Sequence, residues 1–264
     1  MRTERTTRRI AHHPIKPAPA PGAIRIGCAG WSIPAAYAGE FADGASHLAR
    51  YASRFDCVEI NSSFHRPHRV QTYERWAATV PEDFRFSVKL PKSITHEARL
   101  VAVDALVERF AAEIAGLGRK LGGVLVQLPP SLVHEARVAN AFFRLLRKSF
   151  DVPLACEPRH ASWFDAGIDA FWKRHDLARV AADPARPAEA SEPGKFGPWR
   201  YWRWHGSPRM YYSAYDDARL EALARELQSP LRNARDAWCI FDNTAAGHAI
   251  GNALRLRAML QEGC

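Results

Sequence analysis

Eight short runs of β-branched, aromatic and other apolar residues recur along the chain, and helical patterns fill most of the gaps between them. Few folds accommodate that alternation. The runs are IRIGCAG (24–30), CVEINSS (57–63), FRFSVKLP (84–91), GVLVQLP (123–129), PLACEPRH (153–160), ARVAAD (178–183), YWRWHG (201–206) and WCIFDN (238–243). None alternates cleanly between polar and apolar, and their middles are apolar on both faces. Strands covered by helices on one side and filled by a barrel core on the other read this way.

Helical spacing between the runs supports the same architecture. Residues 101–117 place Val103, Leu106, Val107, Phe110, Ile114 and Leu117 on one stripe. Residues 138–148 do so with Ala141, Phe142, Leu145 and Leu146. Residues 216–227 follow a capping Asp216 or Asp217, and a last helix is expected to open at Asn243 or Thr244. Gly247 and Gly251 on that last helix predict a close seat on the sheet. Eight strand–helix units match the roughly 250 residues of a (β/α)8 barrel. One unit departs from the pattern. The stretch PARPAEASEPGKFGPW (184–199) is too rich in Pro and Gly for a crossover helix. The fold class read here is therefore α/β: an irregular (β/α)8 TIM-type barrel with a long loop at 184–199. An open dinucleotide-binding sheet is the alternative, but GCAGWS after the first run does not match G-x-G-x-x-G.

Residues 23–264 form one expected domain, and residues 1–22 a basic, Pro-rich, disordered arm. The arm holds Arg2, Arg5, Arg8, Arg9 and Lys16 against Glu4. It carries nearly half of a net charge of +9, a balance that suits a solvated tail or contact with a polyanion. No apolar run reaches the roughly 18 residues a membrane span needs. The opening residues also lack a signal-peptide core. A cytoplasmic protein without a membrane partner is expected. Cys28, Cys57, Cys156, Cys239 and Cys264 include no C-x-x-C pair, and most lie in apolar runs, as small buried hydrophobes do.

In a (β/α)8 barrel, function gathers at the C-terminal strand ends, and here those ends are polar. Glu59 and Asn61 stand two apart on strand two, as do Glu157 and Arg159 on strand five, so each pair shares a face. Lys89, Arg203, His205 and Asp242 stand at other strand ends. Charges of both signs cannot be buried there unpaired without a cost of several kcal/mol, so a compensated network is expected. Glu59, Lys89, Glu157 and Asp242 are the candidate catalytic residues, because neighbouring carboxylates separate their pKa values. Trp31, Asn61, His96, Arg159, His160, Arg203, His205, Asn243 and Thr244 are the candidate ligand-binding residues. Arg grips phosphate or carboxylate with two bonds, and a helix opening at Asn243–Thr244 would present free N–H groups to an anion. Trp31, Phe64 and Trp163 could stack on a ligand ring, but each is read first as core or lid packing. No cofactor is called for. A divalent metal on Glu157, Asp183, His205 and Asp242 is the alternative, opposed by the cations nearby.

Seven separated motifs then resemble the YecE-like family, a domain of unknown function with an irregular (β/α)-barrel fold. They are IRIGCAGWS (24–32), YASRFDCVEINSSFHR (51–66), FRFSVKLPKSITH (84–96), VLVQLPPSL (124–132), EPRHASW (157–163), YWRWHG (201–206) and FDNTAAGHAIGNAL (241–254). His65 stands where the family motif has Tyr, and Pro158 lies inside its E-x-R-H motif. The resemblance implies that Glu59, Asn61, Lys89, Glu157, Arg159, His160, Arg203, His205, Asp242 and Asn243 share one barrel mouth. It supplies no reaction. The leading expectation is an enzyme, hydrolase-like or of another acid/base type, acting on an anionic small molecule. One alternative is a nucleic-acid-binding or metal-dependent endonuclease-like protein, motivated by the basic arm. Another is a non-catalytic partner-binding protein that uses Tyr211, Tyr212 and Tyr215.

Overall fold

A computed structural model describes residues 23–197, 199–229 and 236–262. The basic arm, Cys264 and the segment 230–235 lie outside the described residues. Among the described residues nine strands appear in chain order: β1 (Ala23–Cys28), β2 (Cys57–Ile60), β3 (Arg85–Lys89), β4 (Leu121–Gln127), β5 (Leu154–Glu157), β6 (Leu177–Arg179), β7 (Ala181–Asp183), β8 (Trp199–Trp204) and β9 (Asp236–Phe241). Every pairing is parallel. One ladder runs β2-β3-β4-β5-β6 and the other β1-β9-β8-β7. The ladders meet twice. The Gly30 amide donates to the Glu59 carbonyl at 2.9 Å and joins β1 to β2. Val180, between β6 and β7, donates to the Cys156 carbonyl at 2.9 Å. The expected sixth strand is thus two short strands hinged at Val180, and the ring closes as a TIM-type barrel.

Among the described residues, seven α-helices cover the outside: α1 (His47–Tyr51), α2 (Val70–Thr79), α3 (Asp104–Ile114), α4 (Ala136–Ser149), α5 (Asp169–Arg174), α6 (Asp217–Gln228) and α7 (His248–Glu262). Asp216 caps α6 by accepting from the Arg219 amide at 2.9 Å. On α4, Ala139, Phe142, Phe143 and Leu146 point inward, and each large side chain so buried is worth about 1.5–3 kcal/mol. Between β7 and β8, among the described residues, a 3-10 turn, Ala188–Ser191, stands in place of the crossover helix.

Two expectations about α7 need correction. It opens at His248 rather than at Asn243 or Thr244; the preceding residues form a turn in which the Gly247 amide donates to the Thr244 carbonyl. Its glycines do not seat it on the sheet. A Cβ on Gly251 would lie 2.2 Å from the Tyr37 hydroxyl, and one on Gly247 2.9 Å from Pro34, so both make room for the loop after β1.

Aromatic side chains fill the lower barrel. Trp199 and Trp238 pack edge to face at 5.3 Å, and Tyr201 stacks over Trp238. Gly123 is required opposite them, since a Cβ there would meet the Trp199 ring at 2.6 Å. Inward positions on β8 are Trp199, Tyr201 and Arg203. Moving toward the C-terminal end, the core therefore passes from indole to phenol to guanidinium between Trp199 and Arg203. The free cysteines Cys28, Cys57, Cys156 and Cys239 are all buried, and burial raises each thiol pKa. No described helix is long and apolar enough to cross a membrane.

Candidate functional site

Arg203 is fully buried and stands at the centre of the strand ends. Its Nε and Nη2 donate to the two oxygens of Glu59 at 3.0 and 2.7 Å. Nη1 donates to Glu157 at 2.6 Å, and Nη2 also reaches Asp242 at 3.0 Å. One guanidinium thus holds three carboxylates from β2, β5 and the end of β9. Alternation explains the convergence, because Glu59, Glu157 and Arg203 occupy inward positions on their strands. Tyr201, two residues before Arg203, donates to Glu59 at 2.9 Å and shares a 2.8 Å hydrogen bond with Ser87. It forms the floor of the cluster.

A second tier lies above. Arg159 donates Nε to Glu157 at 2.9 Å, as the two-residue spacing predicts. Gln127 donates to the same carboxylate at 3.2 Å; its register partner on β5 is Glu157. His205 Nδ1 lies 3.0 Å from Asp242, and its Nε2 3.3 Å from Glu157. That Nε2 and the Arg159 Nη2 are buried without a well-formed hydrogen bond.

Burial alone would raise the Glu157 pKa, but Arg159 and Arg203 outweigh it and hold the carboxyl well below its usual range. Asp242 is likewise lowered, with Arg203 and His205 overcoming burial. Burial pushes His205 down, yet Glu157 and Asp242 leave it above its ordinary value. Burial raises the Tyr201 phenol, and Glu59 raises it further.

Lys89 is the exception in the cluster. It is 5% exposed, and among the described residues it makes no side-chain hydrogen bond or ion pair. Its Nζ sits 4.1 Å from the centroid of the Phe64 ring. Burial, and then Arg203, bring its pKa down to about 8 against the partial support of Glu59, Glu157 and Asp242. Ser63 fixes the strand end by donating to the Lys89 carbonyl at 2.6 Å. His96 packs edge-on against the same Phe64 ring at 5.0 Å, with Nδ1 paired to Thr95 at 2.8 Å.

The other expected site residues lie elsewhere. Trp31 and Asn61 line a depression of about 480 Å³ beside the mouth, and Trp31 packs on Trp76. His160 caps the turn Ala161–Trp163 through Ser162. Asn243 binds the Ser213 carbonyl and Asn252, joining the end of β9 to α7. Thr244 is exposed. Trp163 is buried and donates to the Leu132 carbonyl at 2.8 Å, so it belongs to the core and not to a stacking surface. Tyr215 is buried as well, whereas Tyr211 and Tyr212 are exposed.

Asp183 overturns the metal quartet. Its register partner is Trp204, which faces outward, so Asp183 points away from Glu157, His205 and Asp242. It pairs with Arg219 and accepts from the Tyr215 hydroxyl at 2.8 Å. Among the described residues, no group of three His, Cys, Asp or Glu side chains is placed to hold a metal ion. Tyr201 and Gln127 are members of the cluster that the expected set lacked; two-residue spacing from Arg203 and β4 register were the signals for them.

Residues 25–264 match a family described as "Protein of unknown function DUF72". The UPF0759 protein YunF of Bacillus subtilis (strain 168) is 25% identical over 90% of this chain and 94% of its own length. The UPF0759 protein YecE of Escherichia coli (strain K12) is 30% identical over 57% of this chain and 56% of its own. The crystal structure of a DUF72 family protein from Thermotoga maritima MSB8 superposes with a TM-score of 0.74 at 24% identity, covering 90% of this chain and 99% of that one. One from Enterococcus faecalis V583 gives 0.75 at 23%, covering 90% and 95%. At these identities the two structures speak to the fold.

Proposed function

The chain belongs to the DUF72 family, and from that premise we propose that it binds a small phosphate- or carboxylate-bearing molecule at the strand-end cluster and acts on it by acid/base chemistry. The observation that carries this reading is the distribution of charge. Arg203 engages all three carboxylates, which leaves Lys89 buried without an acid of its own. Glu59, Glu157 and Asp242 are opposed by Arg203, Arg159 and Lys89, with His205 biased toward its protonated form. An arriving anion would give Lys89 the partner it lacks, beside Arg159, whose guanidinium is already paired with Glu157 at 2.8 Å.

Roles follow from position. Lys89 and Arg159 hold the anionic group. Lys89, with a pKa of about 8, also exchanges a proton near neutral pH. His205, between Glu157 and Asp242, is the candidate acid. Glu157 and Asp242, their pKa values lowered by Arg203 and its neighbours, stabilise positive charge and set the His205 proton.

The test is calorimetric titration with inorganic phosphate and with malonate. Wild-type protein should bind one of them, Lys89→Met should weaken that binding at least tenfold, and Asp183→Asn should leave it unchanged. Equal affinity in wild type and Lys89→Met would remove the assignment.

A second reading, nucleic-acid binding, is favoured by a different surface. A depression of about 510 Å³ on α4 and α5 is lined by Arg137, Arg144, Arg147, Arg174 and His175, with no carboxylate in its lining. Phosphates on a backbone would meet such a face, and affinity would fall steeply with salt. Salt-independent anisotropy of a labelled single-stranded oligonucleotide, unchanged by Arg144→Glu with Arg174→Glu, would count against it.

A further inference from the structure

We propose that Lys89 is a carbonyl-trapping nucleophile that forms an imine with a small anionic aldehyde or ketone whose charged group is held by Arg159. The proposal rests on the anion-site reading and adds the substrate class.

An amine attacks carbon only as its free base, and a lysine clamped to a carboxylate stays protonated. Lys89 is built against that clamp. It is buried, its Nζ stands over a benzene ring, and the nearby acids are held by Arg203. The charged and titratable groups acting on it are Arg203, Glu59, Glu157 and Asp242. Its lowered pKa leaves about a tenth of the side chain neutral at pH 7. The other described lysines are situated differently. Lys92 pairs with Glu97 at 3.0 Å, Lys120 donates to two backbone carbonyls, and Lys148, Lys173 and Lys195 are exposed.

A proton carrier shares the Phe64 ring with it. Thr95 occupies Nδ1 of His96, and Nε2 makes no hydrogen bond among the described residues. Burial, Lys89 and Arg159 all lower the His96 pKa and keep the imidazole neutral. The neutral Nζ adds its lone pair to the carbonyl carbon. A C–N bond forms as the C=O π pair moves onto oxygen, which takes a proton. His96 carries one nitrogen proton to that oxygen, giving the neutral carbinolamine, and then the second nitrogen proton to the hydroxyl, which leaves as water as C=N forms. One water is released and no oxidant or reductant is consumed.

The experiment is reductive trapping. Full-length protein is incubated with pyruvate or with glyceraldehyde 3-phosphate, then with sodium cyanoborohydride, and adducts are mapped by peptide mass spectrometry. The expected result is one adduct per chain on Lys89, formed at least tenfold faster than on Lys92, Lys148 or Lys173. It should be lost in Lys89→Arg, slowed about tenfold in Arg159→Gln, and suppressed by whichever of phosphate and malonate binds. Localisation is read from the wild-type peptide, so the result stands even if a variant folds poorly. If phosphate or malonate binds through Lys89 but neither carbonyl probe labels it, the imine is overturned and the anion site survives. If there is neither binding nor labelling, both fall. Labelling spread evenly over the exposed lysines overturns the imine as well.

Discussion

Asp242 and Asp183 follow or end the two strands that flank β8, yet they belong to different regions of the molecule. Asp242 faces the barrel axis and meets Arg203 and His205, all nearly inaccessible to solvent. Asp183 faces outward and meets Arg219, whose side chain is 54% exposed. The chemistry of the two pairs is the same, carboxylate against guanidinium. Their energetics are not. The inner pair has lost its water, so each charge depends on the others; the outer pair is still solvated and screened. Inward or outward direction, set by alternation along the strand, divides a candidate reaction centre from an ordinary surface ion pair.

Removing the inner guanidinium should produce the largest effect. Arg203→Met leaves Glu59, Glu157 and Asp242 buried without their shared partner and should cost about 3–5 kcal/mol by chemical denaturation. A loss under about 1 kcal/mol would mean that water reaches the cluster and that the inner region is not distinct.

The pH dependence of stability sharpens the comparison, because the inner region holds Glu157, Asp242, His205 and Lys89, all with shifted pKa values. Glu157 and Asp242 have lowered pKa values. Their contribution is present above the unfolded carboxylate range, about pH 4, and is lost as pH falls through the folded values. His205 is raised, so its contribution is complete below about pH 6.5 and fades as pH rises through its folded value. Lys89 acts in the opposite sense. With a folded pKa of about 8, stability should recover between pH 8 and 10.5 by up to roughly 3 kcal/mol. Melting curves of His205→Gln should lack the decline, and those of Lys89→Met the recovery. Profiles identical to wild type would contradict the burial of these groups.

The smallest effect belongs to the outer region. Asp183→Asn should change stability by no more than about 1 kcal/mol. A large loss on denaturation would show that the outward pair carries more of the fold than its exposure implies.

The barrel was legible in the sequence because strand and helix periodicities are local properties. Glu157 with Arg159, and the absence of a helix at 184–199, were legible for the same reason, as spacing and Pro content fix them within a few residues. Asp183 was misplaced because the strand breaks at Val180, and a break in so short a strand hides which face its last residue takes. The sequence leaves Trp163 between two places, because a strand-end aromatic looks the same whether it lines a mouth or packs under Leu132. Thr244 was assigned to a helix start that lies at His248, since the intervening Gly247 adopts a φ of 80° that ends regular prediction.

What the sequence determined alone was which chemical groups stand at each strand end, because alternation and turn chemistry act over a few neighbouring residues. What the tertiary structure decided was the pairing among them. Arg203 and Glu59 are 144 residues apart in the chain, and no local rule states that one guanidinium takes three carboxylates. That allocation follows from closing the barrel, which removes water from all of these groups together and makes each charge seek the partner that geometry offers. Lys89, left over from the allocation, acquires its character from the same closure.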